Sequence, residues 1–97
     1  MIFELDFSDE AKVQLRNLKG NKALVKRYKA VKEALKKLKQ NPKYPSLQTH
    51  PYHSLKGPHG EKVFEAYAEQ HTPAAYRIFF CYGPKGKIMI LTIVPHP

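Results

Sequence analysis

Apolar residues along this chain follow two different periods, and the change from one to the other falls near residue 60. Residues 2–7 (Ile-Phe-Glu-Leu-Asp-Phe) alternate imperfectly and predict a first strand. Ser8 then stands as a helix N-cap, with Asp9 and Glu10 placed to complement the helix dipole. No capping box follows, because Ala11 occupies the position that needs Glu or Gln. Ala11, Leu15 and Leu18 recur at helical spacing, and Gly20 supplies a stop, so the first helix is short. Asn21 is suited to cap a second, longer helix running to about Gln40. Its Leu24, Tyr28, Val31, Leu35 and Leu38 form one apolar stripe at a 4-3-4-3 spacing. Asn41-Pro42 ends that helix, since proline disfavours helical geometry in the residue before it. The tight Gly-Asn connection predicts an antiparallel helix hairpin.

From Pro42 to Lys62 the pattern breaks. Pro42, Pro45, Pro51 and Pro58, with Gly57 and Gly60, predict a long loop, and a long loop in a compact domain is usually functional. Alternation then takes over. In residues 63–69, Phe64, Ala66 and Ala68 fall on one face and Glu65, Tyr67 and Glu69 on the other. Residues 75–82 form a second run, Gly83-Pro84-Lys85-Gly86 a turn, and Lys87 to Val94 a third run. The expectation is an α+β fold of order β-α-α-β-β-β in a single domain, 1–97. Its antiparallel sheet would carry the N-terminal two-helix hairpin on one face.

Composition narrows the class. A chain of 97 residues makes one domain with a small core, and 42% hydrophobic residues argue against disorder. No apolar run approaches the roughly 20 residues of a membrane span. The N-terminus carries acids where a signal peptide would carry Lys or Arg. Cys81 is the only cysteine, so no intramolecular disulfide forms, and the expected location is the cytoplasm. Charge says more: 17 Lys and Arg against 8 Asp and Glu give a net charge of +9. Such a surface attracts polyanions, which points to nucleic acid, the ribosome or an acidic protein.

The second helix concentrates that charge. Lys26, Lys29, Lys32, Lys36 and Lys37 lie mostly off its apolar stripe, and Glu33 is its only acid. They read either as a phosphate-facing RNA patch or as an ordinary solvated face. Five histidines (50, 53, 59, 71 and 96) invite a metal reading, yet no cysteine or acid pattern completes a ligand set around His50 and His53, so no metal and no cofactor is expected. Cys81, between Phe80 and Tyr82 in an alternating strand, reads as a small core residue. There is no Gly-x-Ser-x-Gly elbow and no glycine-rich phosphate loop.

What remains is a set of short motifs in a fixed order. Phe7-Ser8-x-x-Ala11 opens it and Asn41-Pro42 follows the second helix. Leu55-Lys56-Gly57 precedes the strands, Tyr76-Arg77-Ile78-Phe79-Phe80 lies among them, and Thr92-Ile93-Val94-Pro95-His96 closes the last. In order and spacing, over almost the whole chain, this resembles the RelE/ParE toxin superfamily, and within it the RelE and YoeB-type RNases. The resemblance implies a type II toxin that cleaves mRNA, generally on the ribosome, and is silenced by a co-expressed antitoxin.

Metal-free RNA cleavage needs a base for the 2′-hydroxyl, cations for the charge that builds on phosphorus, and an acid for the leaving oxygen. Arg77 is the first candidate cation, since its planar fork suits phosphate, although it could instead pair with Glu65 or Glu69. Lys56 is a second. His96 can act as acid or base, because an imidazole titrates near neutrality. By its spacing before Lys56, His53 stands where YoeB-like toxins carry a glutamate base. Tyr67 could stack on or orient a nucleobase. The chain lacks the C-terminal helix with a late tyrosine seen in many RelE-like members, and stops at Pro97. Two other readings share these features: a ParE-like toxin that inhibits gyrase by binding, which the Pro95-His96-Pro97 ending disfavours, and a non-enzymatic RNA- or ribosome-binding module.

Overall fold

A computed structural model describes residues 2–96; Met1 and Pro97 lie outside the described residues. The elements are β1 (Glu4–Phe7), α1 (Asp9–Gly20), α2 (Val25–Gln40), β2 (His50–Lys56), β3 (Lys62–Tyr67), β4 (Tyr76–Tyr82) and β5 (Lys87–Pro95), with short 3₁₀ turns at Lys22–Leu24 and Pro45–Leu47. The five strands form one sheet in the order β1-β5-β4-β3-β2. The α+β class, the helix pair and the antiparallel run β3-β4-β5 are as the alternation predicts. No helix among the described residues is long and apolar enough to cross a membrane.

Two features depart from the sequence reading. The stretch expected to be a loop contains β2, which pairs antiparallel with β3 through His50–Glu65, Pro51–Phe64 and Lys56–Lys62. Pro51 misled the reading, but β2 is an outermost strand, where a proline forfeits a ladder bond on one side only. The second departure is β1, which runs parallel to β5 through Glu4–Lys87 to Phe7–Ile90. The chain returns to β1 only after the helix hairpin and the three strands β2, β3 and β4, so the long connection that a parallel pair requires is met. Asn21, expected to cap the second helix directly, accepts a hydrogen bond from the Ala23 N–H and so caps the 3₁₀ turn that leads into it.

The core lies between the hairpin and one face of the sheet. Ala11 and Leu18 of α1 and Val31, Leu35 and Leu38 of α2 pack against Ala66, Ile78, Phe80, Ile88, Ile90 and Ile93. By strand alternation Glu65, Arg77 and Phe79 therefore point to the opposite face, which no helix covers.

The edge of β5 beyond Ile90 has no strand beside it, and α1 closes it. The Ser8 hydroxyl donates to the Leu91 carbonyl at 2.7 Å and accepts from the Ala11 N–H at 3.0 Å. Further along, the Gln14 side-chain oxygen accepts from the Ile93 N–H at 2.6 Å. One serine thus caps a helix and satisfies a strand carbonyl. Ser8→Ala should cost about 1–2 kcal/mol, or roughly 10 °C in melting temperature, without changing the fold; thermal unfolding followed by circular dichroism checks this.

The glycine of Leu55-Lys56-Gly57 has a structural reason. It opens the β2–β3 turn, donating to the Glu61 carbonyl at 2.9 Å. A Cβ there would meet the Glu61 carboxylate oxygen at 2.5 Å. That carboxylate accepts from the His59 N–H at 2.7 Å. Hydrogen bonding from its own backbone N–H, then from that of His59, holds it below the ordinary glutamate range.

Candidate active site

The uncovered face of the sheet carries a cleft of about 350 Å³, lined by Tyr52, Ser54 and Leu55 of β2, Glu65 of β3, Arg77 and Phe79 of β4, and Thr92, Val94, Pro95 and His96 at the end of β5. Its floor is apolar. Tyr52 meets Phe79, two strands away, edge to face at 4.8 Å, so β2 curls over the face and gives the cleft a wall. Register brings the charged groups together. Arg77 lies opposite Val94, and Tyr76 opposite Pro95, which places the start of β4 beside the end of β5. The His96 N–H then donates to the Ala75 carbonyl at 2.9 Å.

Arg77 is held from several sides. Its Nη1 donates to Glu65 Oε2 at 2.8 Å, and its guanidinium carbon lies 4.3 Å from the centroid of the Tyr67 ring. The Tyr67 ring in turn meets the His50 ring edge to face at 5.7 Å. Glu65, only 4% exposed, has its other oxygen 2.8 Å from His50 Nε2. A buried carboxylate is tolerable only when paired, and here a guanidinium and an imidazole share the task. Arg77 Nε is buried and has no hydrogen-bond partner among the described residues, so one donor of the fork is uncommitted.

A second hollow of about 520 Å³ adjoins the first, sharing Arg77 and His96 and adding Tyr67, Gln48, and the β3–β4 loop from Glu69 to Ala75. Of the residues singled out from the sequence, the structure thus brings Arg77, His96 and Tyr67 together. His53 and Lys56 are exposed on β2 and line neither hollow. The sequence reading missed the pairing of Glu65 with His50 and the wall made by Tyr52. Glu65 had a legible signal, an acid inside an alternating apolar strand, but its partner His50 lay in the supposed loop.

Lys26, Lys29, Lys32 and Lys36 are exposed on α2, which packs on the other side of the sheet from the cleft. Lys37 donates to the Ser46 hydroxyl at 3.0 Å and lines a third hollow together with Tyr67 and Gln70. Among the described residues no group of three or more His, Cys, Asp or Glu is placed to hold a metal ion. Cys81 is buried, and burial, with the charge of Glu61 adding to it, pushes its thiol above the ordinary range, so it is no nucleophile at neutral pH.

The class these features define is an α+β domain with a helix hairpin on one face of its sheet and an open cleft, apolar-floored with charged groups converging on it, on the other. Within that class the fold is that of YoeB. The chain superposes on the structure of the YoeB dimer from Staphylococcus aureus with a TM-score of 0.63 at 17% sequence identity, over 100% of both chains. At that identity the likeness is one of fold. Comparison with models of known families and with curated proteins finds no match.

Proposed function

We propose that this protein is a RelE/YoeB-like toxin that cleaves mRNA without a metal ion, in the cytoplasm and on the ribosome, and that a co-expressed antitoxin restrains it. The observation that carries the reading is the convergence of Arg77 and His96 on one cleft of a YoeB-like fold. RNA transesterification needs little more than positioned cations and proton carriers. The ribose 2′-oxygen attacks phosphorus, its proton passes to a base, the bond from phosphorus to the 5′-oxygen breaks, and an acid protonates that oxygen. Arg77 is suited to the phosphate. A planar guanidinium can bind its oxygens and gains most as negative charge builds on them.

Glu65 is engaged on both oxygens, which suits it to aiming Arg77. His96 is suited to moving a proton. Tyr67, Lys56 and His53 remain candidates of lower rank, Tyr67 as a positioning contact to a base and the other two from β2. The lysines of α2 supply long-range attraction to RNA or rRNA. A net charge of +9 favours an antitoxin segment that is acidic and partly apolar.

The test is incubation of the purified protein with translating ribosomes and a defined mRNA. Fragments ending in a 2′,3′-cyclic phosphate or its opened form, with 5′-hydroxyl partners and no need for an added transition metal, are expected. Intact mRNA under these conditions, together with inhibited gyrase, would replace this reading with the ParE-like one.

A further inference from the structure

The proton acceptor in this cleft has no assigned residue. Glu65 has both oxygens bound, and His53 and Lys56 line neither hollow. His71, from the β3–β4 loop, lines the second hollow, which Arg77 and His96 also line. We infer that His71 is a catalytic residue of this site, the base that takes the proton of the attacking 2′-hydroxyl. This inference rests on the RNA-cleavage reading and deepens it.

Three observations support the assignment. The first is how firmly the loop is held. Arg27, at the start of α2, donates from Nη1 to Glu69 Oε1 at 2.9 Å and to the Ala74 carbonyl at 2.8 Å, and from Nη2 to the Pro73 carbonyl at 3.0 Å. Glu69 Oε1 also accepts from the Tyr76 N–H at 3.0 Å. One guanidinium therefore ties both ends of the loop to a helix and fixes where the loop carries His71.

The second observation is backbone conformation. Four non-glycine residues among those described have positive φ, and three of them, Gln48 (47°), His71 (58°) and Ala74 (54°), line this one hollow. Left-handed conformations are unfavourable for residues that carry a side chain. Strain of this kind persists where the surroundings over-determine it, and it gathers at ligand clamps and active sites.

The third is availability. His71 is exposed and has no hydrogen bond or ion pair among the described residues. The groups that line its hollow are the Arg77 guanidinium, the His96 imidazole, the Tyr67 phenol and the Glu69 carboxylate, and that carboxylate is already paired with Arg27. With no partner among the described residues, the His71 ring nitrogens are available to accept a proton from a bound hydroxyl.

The step then balances. His71 accepts the 2′-hydroxyl proton as the 2′-oxygen bonds to phosphorus. Arg77 holds the phosphate oxygens, and His96 as imidazolium gives its proton to the departing 5′-oxygen. The products are a 2′,3′-cyclic phosphate and a 5′-hydroxyl. A later exchange of protons with water resets the two imidazoles.

The test is the pH–rate profile of mRNA cleavage by wild type and His71→Ala, a surface-loop change, each with translating ribosomes. A base must be deprotonated to act, so the wild-type rate should fall as pH drops through the imidazole range. His71→Ala should be slower by about 100-fold and should lose that low-pH limb while keeping the high-pH one. A second measurement uses the wild-type protein and an oligonucleotide whose attacking 2′-hydroxyl is replaced by hydrogen. Binding of its phosphate should raise the titration midpoint of the His71 imidazole, read by NMR. Cleavage by His71→Ala at the wild-type rate with both limbs intact, or an unmoved His71 midpoint at saturating oligonucleotide, overturns the assignment and leaves the RNase reading standing. Wild-type protein that cleaves no mRNA overturns both.

Discussion

Arg77→Ala should reduce mRNA cleavage by at least about 100-fold and also lower stability by about 3 kcal/mol. The two losses have one origin. The guanidinium holds a carboxylate that is 4% exposed and whose other oxygen meets His50, so truncation leaves Glu65 buried with an imidazole as its only partner. Breaking a buried pair on one side costs more than the pair is worth, because the remaining charge keeps its desolvation penalty. In a domain this small, that is a drop of roughly 15 °C in melting temperature.

The physical cause can be separated from the chemistry. Glu65→Leu combined with Arg77→Met removes both charges and keeps the volume, so it should recover most of the stability and none of the cleavage. Chemical denaturation and the cleavage assay, run on the single and double variants, check both statements. A double variant as unstable as Arg77→Ala would mean that packing around Phe79 and Tyr67, and no orphaned charge, sets the loss.

His96→Ala should lose cleavage by a similar factor of about 100 while its stability changes by less than about 1 kcal/mol. The side chain is exposed, and the hydrogen bond that anchors the segment runs from the backbone N–H to the Ala75 carbonyl, which alanine preserves. If His96 is the acid, the direction of the pH effect is opposite to that of a base. An acid must be protonated, so the wild-type rate falls as pH rises through the imidazole range, and His96→Ala should flatten that high-pH limb. Wild-type cleavage by this variant would remove His96 from the site. The contrast with Arg77→Ala is informative in itself, because one variant should fail in chemistry alone and the other in chemistry and folding together.

Local rules made much of this protein legible before any coordinates. The 4-3-4-3 stripe from Leu24 to Leu38 produces an amphipathic helix wherever it finds a core, and Ser8 has the geometry of a cap whatever lies beyond it. The alternation of Phe64 and Ala66 against Glu65 and Tyr67 likewise sorts itself onto two faces, because a strand has no other way to hold apolar and charged residues in turn. These are properties of neighbours in sequence, so a linear reading reaches them. It also picked out Arg77, because a guanidinium among apolar strand residues is conspicuous without a partner.

The rest depended on which distant residues meet. Pro51 reads as a strand breaker until β2 is known to be an edge, and being an edge is a property of the whole sheet. His50 is one of five histidines until the pairing with β3 sets it opposite Glu65. His71 is a turn residue until Arg27, 44 positions earlier in the chain, ties its loop against α2 beside the end of β5. Sequence determined the two helices, the strands other than β2 and the faces they present, since those follow from periods of two and 3.6 residues. Tertiary structure decided which of the candidate residues share a cleft, because register and loop placement are settled by long-range packing that no local pattern encodes.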